Sequence, residues 1–429
     1  MKKNVFLSFI FLFFGFAYTA VSQEVLQLSL VEAQVYATEH NKTMQKADLA
    51  IQKAEYAKWQ SISSLLPKID ASATYTNYLG YKMPLFGQSI EMNPSGNLTA
   101  QVGVGFSGMQ VVAIQLSEIA KQMSQTSALS DELTLKANVT NSYYGILVAE
   151  KSKKLLQGNL ENLKKLYESS VNMVKVGMAE QTDADQLEVQ VGMIENSIRM
   201  AERNVELSYN TMRLLLGVGL NAGISLDNTL DDFSGKMEAN ELLATSLDVS
   251  QNYTLQMLQG AADMNKKQVA INQWAYAPTV SAFYQYTKKT NFDKPAGFDM
   301  TPPNLVGVTV SVPIFSGGER YAKVKQAQLE WQTANLTKEQ TQDALLTEEK
   351  QLRFNLTSAI ESYELQQKNI ALSERIFANA TQKYELGMIS STELTSVSNN
   401  TLAAQNQYIG ALMDMLMAKT KLQQLVNKL

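Results

Sequence analysis

Side chains able to carry covalent or metal chemistry are scarce in this 429-residue chain: there is one histidine, His40, and no cysteine. A transition-metal site gathers several nitrogen or sulfur ligands, so a lone imidazole in a helical segment reads as structural. No Ser/His/Asp or Cys/His arrangement can be assembled beyond His40. The adjacent carboxylates Asp231-Asp232 and Glu348-Glu349 fall in a linker and on a helix. Neighbours on a helix do not face each other, so these pairs read as solvated charge. The 19 methionines are scattered and read as packing filler. One motif imitates a nucleotide site: Gly103-Val-Gly105-Phe-Ser-Gly108 follows a strand and precedes a helix. A dinucleotide fold returns to a second parallel strand within about 30 residues, whereas a very long helix follows here. Its glycines read instead as small residues facing a lumen, plus a strand-to-helix turn. The expectation is no catalytic residue, no metal and no cofactor.

The formal charge of -4 is unclustered, which argues against nucleic acid as a partner. Lys2 and Lys3 precede the apolar run Val5 to Phe16 and the small-residue site Ala20-Val21-Ser22. This pattern predicts a signal peptide over residues 1–22, with Gln23 as the mature start. No later segment has the eighteen consecutive apolar residues of a membrane-spanning helix.

The elements that must carry any site follow from proline. All 8 prolines fall in two windows, one from Pro67 to Pro94 and the other from Pro278 to Pro313. Proline is excluded from helix interiors and central strands, so the chain reads as two copies of one plan. LPKIDASATYTNY at Leu66 is echoed by APTVSAFYQYTKK at Ala277, NLTAQVGVGFSG at Asn97 by NLVGVTVSVPIFSGG at Asn304, and VKVGMAEQTDADQLEVQ at Val174 by YELGMISSTELTSVSNN at Tyr384. Constant order at nearly constant offset indicates duplication. The halves are expected at 23–218 and 241–429, joined by a linker over 219–240. Helices are expected from near Ser29 to Leu66, Gln110 to Lys175 and Thr182 to Leu216. In the second half they run from about Glu241 to Tyr276, Gly318 to Leu386 and Ser391 to Lys428. Leu356, Tyr363, Ile370, Phe377 and Tyr384 are spaced by seven, which predicts coiled-coil seams.

Four runs alternate with period two: residues 69–78, 98–106, 279–288 and 305–312. Val306, Val308, Val310 and Val312 alternate with Gly307, Thr309 and Ser311; Ile69, Ala71, Ala73 and Tyr75 oppose Asp70, Ser72, Thr74 and Thr76. Length and pattern suit strands of an outer-membrane barrel, with Tyr78, Tyr81, Phe283 and Tyr286 as interfacial aromatics. The loops Leu79 to Gly96 and Asn291 to Pro303 would join the strand pairs. Four strands cannot close, and an open edge in lipid strands backbone groups at several kcal/mol each, so a spanning barrel requires an oligomer. The alternative on this pattern is a secreted coiled-coil structural or adhesive protein without a pore.

SLVEAQVYATEHN, LPKIDASATY, SVPIFSGGER and KYELGMISSTEL, in this order and duplicated, resemble the TolC family of outer-membrane efflux proteins over nearly the whole mature chain. The resemblance implies a mainly α fold with membrane β. Each protomer, a duplicated long-helix and four-strand unit, would contribute to a trimeric twelve-stranded barrel in outer-membrane lipid and a periplasmic helical tunnel. It implies a passive exit duct of a tripartite efflux or type I secretion system, with a periplasmic adaptor and an inner-membrane transporter as partners. It places Gly177, Met178, Gly387 and Met388 at adaptor-docking tips. It places Asp183, Tyr384 and Glu393 at a closed-state constriction, with a hydrogen bond from the tyrosine to the carboxylate. Ile389 stands where a gate arginine can occur, and Ser396 where a second acidic residue is usual. VGVGFSGMQ lacks the proline and paired glycines of VPIFSGGER.

Overall fold

The computed structural model describes residues 25–85, 87–233, 235–292 and 302–429. The expected leader over 1–22 lies outside the described residues, as do 293–301 of the second expected loop. Among the described residues no helix is long and apolar enough to cross a membrane.

The chain opens with β1 (Leu26–Leu28), α1 (Leu30–His40) and α2 (Lys42–Ser63). One helix was expected from Ser29 to Leu66, but Asn41 divides it with an extended backbone. Asn41 caps α2 by accepting the Thr43 N–H at 2.7 Å, and its amide donates to the Leu215 carbonyl at 2.7 Å. A short polar side chain that satisfies backbone groups on both sides stabilises the break. There follow β2 (Lys68–Thr76), a ribbon of β3 (Lys82–Leu85) and β4 (Gln88–Glu91) within what was expected as plain loop, and β5 (Ser95–Phe106). Then come α3 (Gly108–Lys175) and α4 (Gln181–Leu216).

The expected linker is itself structured. It holds β6 (Ile224–Leu226), a 3-10 turn at Leu230–Phe233 and the start of α5 (Lys236–Ala244), which straddles the expected boundary at 240/241. The helix expected from Glu241 to Tyr276 is therefore broken, like its counterpart, into α5 and α6 (Tyr253–Trp274). Arg353 holds the break: its guanidinium donates to the Leu243 carbonyl at 2.5 Å, to the Thr245 carbonyl, and to Glu349 at 2.7 Å. The second half closes with β7 (Thr279–Asn291), β8 (Asn304–Ser311), α7 (Glu319–Glu385) and α8 (Ser391–Leu425).

Helices α3 and α7, of 68 and 67 residues, each span about 100 Å at 1.5 Å per residue. Each packs beside two shorter helices in turn: α2 and α4 along α3, α6 and α8 along α7. On α3, Leu156, Leu160, Leu163, Tyr167, Ser170 and Val174 alternate spacings of four and three, and on α7 Leu356, Tyr363 and Tyr384 of the seven-residue series are buried. This is the seam that a heptad repeat prescribes. The core is thickest at mid-length. There Tyr143, Ile146, Met212, Leu216, Leu412 and Leu416 are fully buried, beside parallel β1 and β6.

Candidate channel and gate

At one end of the helices lies a four-stranded antiparallel sheet in the order β2-β5-β7-β8. Its register sorts side chains by face. Ile69 lies opposite Val102, Val102 opposite Tyr284, and Tyr284 opposite Val306. One row on, Ala71, Ala100, Tyr286 and Asn304 continue the same face. Ile69, Val306, Val308 and Val310 are exposed on it. The other face carries Ser72, Thr99 and Thr287 in line, then Asp70, Gln101, Gln285 and Leu305. Thr99 and Thr287 hydroxyls meet at 3.3 Å, and the Gln285 amide donates to Thr287 at 3.0 Å. Across the three strand pairs apolar side chains mostly meet apolar ones, as strand periodicity requires; Asn304 opposite Tyr286 and Leu305 opposite Gln285, at the start of β8, depart from it.

Phe283 corrects an expectation. It was assigned to an interfacial girdle, but its odd position puts it on the polar face between Gly103 and Gly307. A Cβ at Gly307 would lie 2.5 Å from the Phe283 ring, so glycine there makes room for the ring. The glycines of the nucleotide-like motif are also accounted for. Gly103 and Gly105 share that face, and a Cβ at Gly108 would lie 2.1 Å from Trp274. The two strand-to-helix junctions differ. Ser107 is extended and its N–H donates to Gln110 Oε1 at 2.8 Å, whereas Gly317 and Gly318 both take positive φ.

At the opposite end α3 turns into α4, and α7 into α8, through two matching turns. Gly177 (φ 75) and Gly387 (φ 70) are left-handed. Met178 N–H reaches back to the Met173 carbonyl, and Met388 N–H to the Lys383 carbonyl, both at 2.8 Å. Gly177 N–H bonds Val174 at 3.0 Å and Gly387 N–H bonds Tyr384 at 2.9 Å. This paired pattern closes a helix on a left-handed glycine and satisfies carbonyls that would otherwise lack donors. Met178 and Met388 stand out into solvent, 79% and 71% exposed. The second helix was expected to open at Thr182; its cap is Glu180, whose N–H donates to the Asp183 carboxylate at 3.3 Å. In α8 the cap is Ser390, which accepts the Glu393 N–H at 3.2 Å.

Of the three expected constriction residues, Glu393 is exposed, while Tyr384 is buried among Leu163, Leu187 and Leu394. The Tyr384 hydroxyl has no hydrogen-bond partner among the described residues. The expected bond from Tyr384 to Asp183 is therefore not made within this protomer. Asp183 Oδ1 instead accepts from the Ser391 hydroxyl, which is itself 1% exposed. The Gln186 amide lies 3.1 Å from Ser391 Oγ and 3.3 Å from Thr392 Oγ1. Sequence reasoning missed Ser391 and Gln186. The one signal was the run Ser390-Ser391-Thr392, where the cap needs only one hydroxyl and leaves the next free to turn inward.

The sheet, the paired helical hairpins and the two tip turns define a class of channel-forming envelope proteins. The model of the outer membrane efflux protein family matches residues 35–218 and 246–428, and the chain belongs to that family. Outer membrane protein TolC of Salmonella enteritidis is 21% identical over 407 residues, covering 92% of this chain and 80% of the relative. Among solved structures, CusC superposes with a TM-score of 0.76 at 15% identity, covering 93% of this chain and 92% of its own. The Campylobacter jejuni CmeC outer membrane channel gives 0.76 at 16%, covering 93% and 85%. The protein is thus an outer-membrane efflux duct that extends into the periplasm.

Proposed function

We propose that three copies of this chain close a twelve-stranded barrel in outer-membrane lipid, continued by a helical tunnel to the tips. The carrying observation is the sheet with one apolar exposed face and two open edges, β2 and β8. Those edges run in opposite directions, so β8 of one copy meets β2 of the next antiparallel, and three copies leave no edge in lipid. The apolar face then meets lipid, and the Ser/Thr/Gln/Gly face lines a wet lumen.

The duct is a passive part of a tripartite efflux or type I secretion system. An inner-membrane transporter supplies the energy, and a periplasmic adaptor docks at the turns around Gly177, Met178, Gly387 and Met388. Two solvent-exposed methionines on glycine turns offer the adaptable apolar contact that such docking uses. Asp183, Tyr384 and Glu393 lie at one depth beside these turns and form the closed constriction. Glu393 presents its carboxylate to the lumen, and Tyr384 contributes by the packing of its ring. A rod without a pore leaves the sheet unexplained, because an apolar sheet face of this kind does not stay in water.

The test is single-channel recording of the purified protein in planar bilayers, with heat-resistant trimers assayed on gels. Trimers that conduct are expected. A fully water-soluble chain with no conductance would discard the reading.

A further inference from the structure

We propose that Ser391 is the positioning residue of the gate. It is a latch that ties the start of α8 to the start of α4 through Asp183, so that the two tip hairpins of one protomer move as a unit. The proposal rests on the tips being the gate. Its geometry is local and complete. Ser391 is the first residue of α8 and is buried, and its single hydroxyl proton goes to the Asp183 carboxylate. The Gln186 amide beside it, one turn along α4, is placed to give an N–H to the Ser391 oxygen, since amide oxygen and nitrogen exchange by rotation.

Asp183 therefore has two tasks: one oxygen receives the Glu180 N–H and closes the cap of α4, and the other receives Ser391. The buried Tyr384 hydroxyl does neither, and it stands without a partner among the described residues. Ile389 brings no charge to Asp183 from the turn, so the hydroxyl–carboxylate bond is the charge-assisted tie between the hairpins at this level, beside the neutral contacts of Gln186 with Ser391 and Thr392. Such a bond, shielded from water, is directional and charge-assisted, which suits a closure that must be held and released.

The test compares Ser391→Ala with Ser197→Ala in the full-length protein; Ser197 is a serine on α4 whose hydroxyl donates to the Met193 carbonyl of its own helix. Ser391→Ala is expected to raise amide hydrogen exchange around Met388 to Leu394 and to make openings at least about tenfold more frequent, the shift expected from losing one charge-assisted bond. Ser197→Ala is expected to match the wild type in both assays. Unchanged exchange in Ser391→Ala, or equal opening by Ser197→Ala, overturns the latch. Faster exchange with unchanged opening, together with unaltered cation selectivity in Glu393→Gln, overturns the gate reading on which the latch rests. Should Ser391→Ala assemble poorly, the cysteine-free chain allows a second route: Gln186→Cys with Thr392→Cys. The reduced pair keeps Ser391 and Asp183 and is expected to open as the wild type does, whereas the oxidised pair, tied covalently across the same place, is expected to open far less. A formed cross-link without effect on opening counts against the proposal.

Discussion

Tyr143 is fully buried on α3, where its hydroxyl donates to the Leu28 carbonyl at 3.0 Å and accepts the Asn228 N–H at 3.2 Å. Asn228 Oδ1 in turn accepts the Leu30 N–H at 3.0 Å. One phenol thus fastens the β1–α1 corner and the β6 exit to the longest helix. Tyr143→Phe leaves the Leu28 carbonyl with the Asp227 N–H at 3.1 Å but takes the acceptor from the part-buried Asn228 N–H, and should cost about 1–2 kcal/mol, measurable by chemical denaturation of the purified protein. Burial raises the Tyr143 pKa above its ordinary value of 10.0. A group whose folded value is raised gives stability that is whole below its unfolded value and is lost as pH rises through the folded one. The wild type should therefore lose stability above pH 10 more steeply than Tyr143→Phe; parallel curves would remove this residue from the account.

The tip turns act at the scale of elements. A Cβ at Gly177 or Gly387 would meet nothing within 4 Å, so a substitution there is opposed by backbone strain of about 1–2 kcal/mol rather than by collision. The helices flanking each turn keep their buried seams at Leu163, Leu166, Leu187, Leu394 and Tyr384. Gly177→Trp combined with Gly387→Trp should accordingly leave trimer yield normal while abolishing export, measured as antibiotic susceptibility in cells. Intact export would discard docking at the tips. The breaks at Asn41 and at residues 245–252 are the opposite kind of element boundary. No glycine turns the chain there; side-chain hydrogen bonds from Asn41 and Arg353 hold it.

For the whole molecule, the faces of the sheet set what each strand position tolerates. Val308 lies on the exposed apolar face opposite Ala282, and Thr309 lies on the polar face opposite Ser281. In the proposed barrel, Val308→Arg puts a charge against mid-membrane lipid at a cost of about 2–4 kcal/mol and should impair assembly. Thr309→Arg should assemble and alter conductance. Equal assembly of both, judged by heat-resistant trimers, would reverse or erase the face assignment.

Periodicity and punctuation were enough to place the long helices and the alternating strands. A proline window, a seven-residue seam and a period-two run are properties of neighbouring residues. The family resemblance picked out Gly177 and Gly387 as turns; that both are left-handed is a finding of the structure, since φ belongs to the folded turn. The structure decided whatever joins residues distant in sequence. Asn41 breaks a helical pattern because Leu215 waits on another helix, and Phe283 turns to the polar face beside Gly103 and Gly307 of neighbouring strands. Asp183 finds its partner 208 residues away in Ser391 rather than in Tyr384. A hydrogen bond depends on positions to within an ångström, which local sequence does not encode; packing of α4 against α8 does.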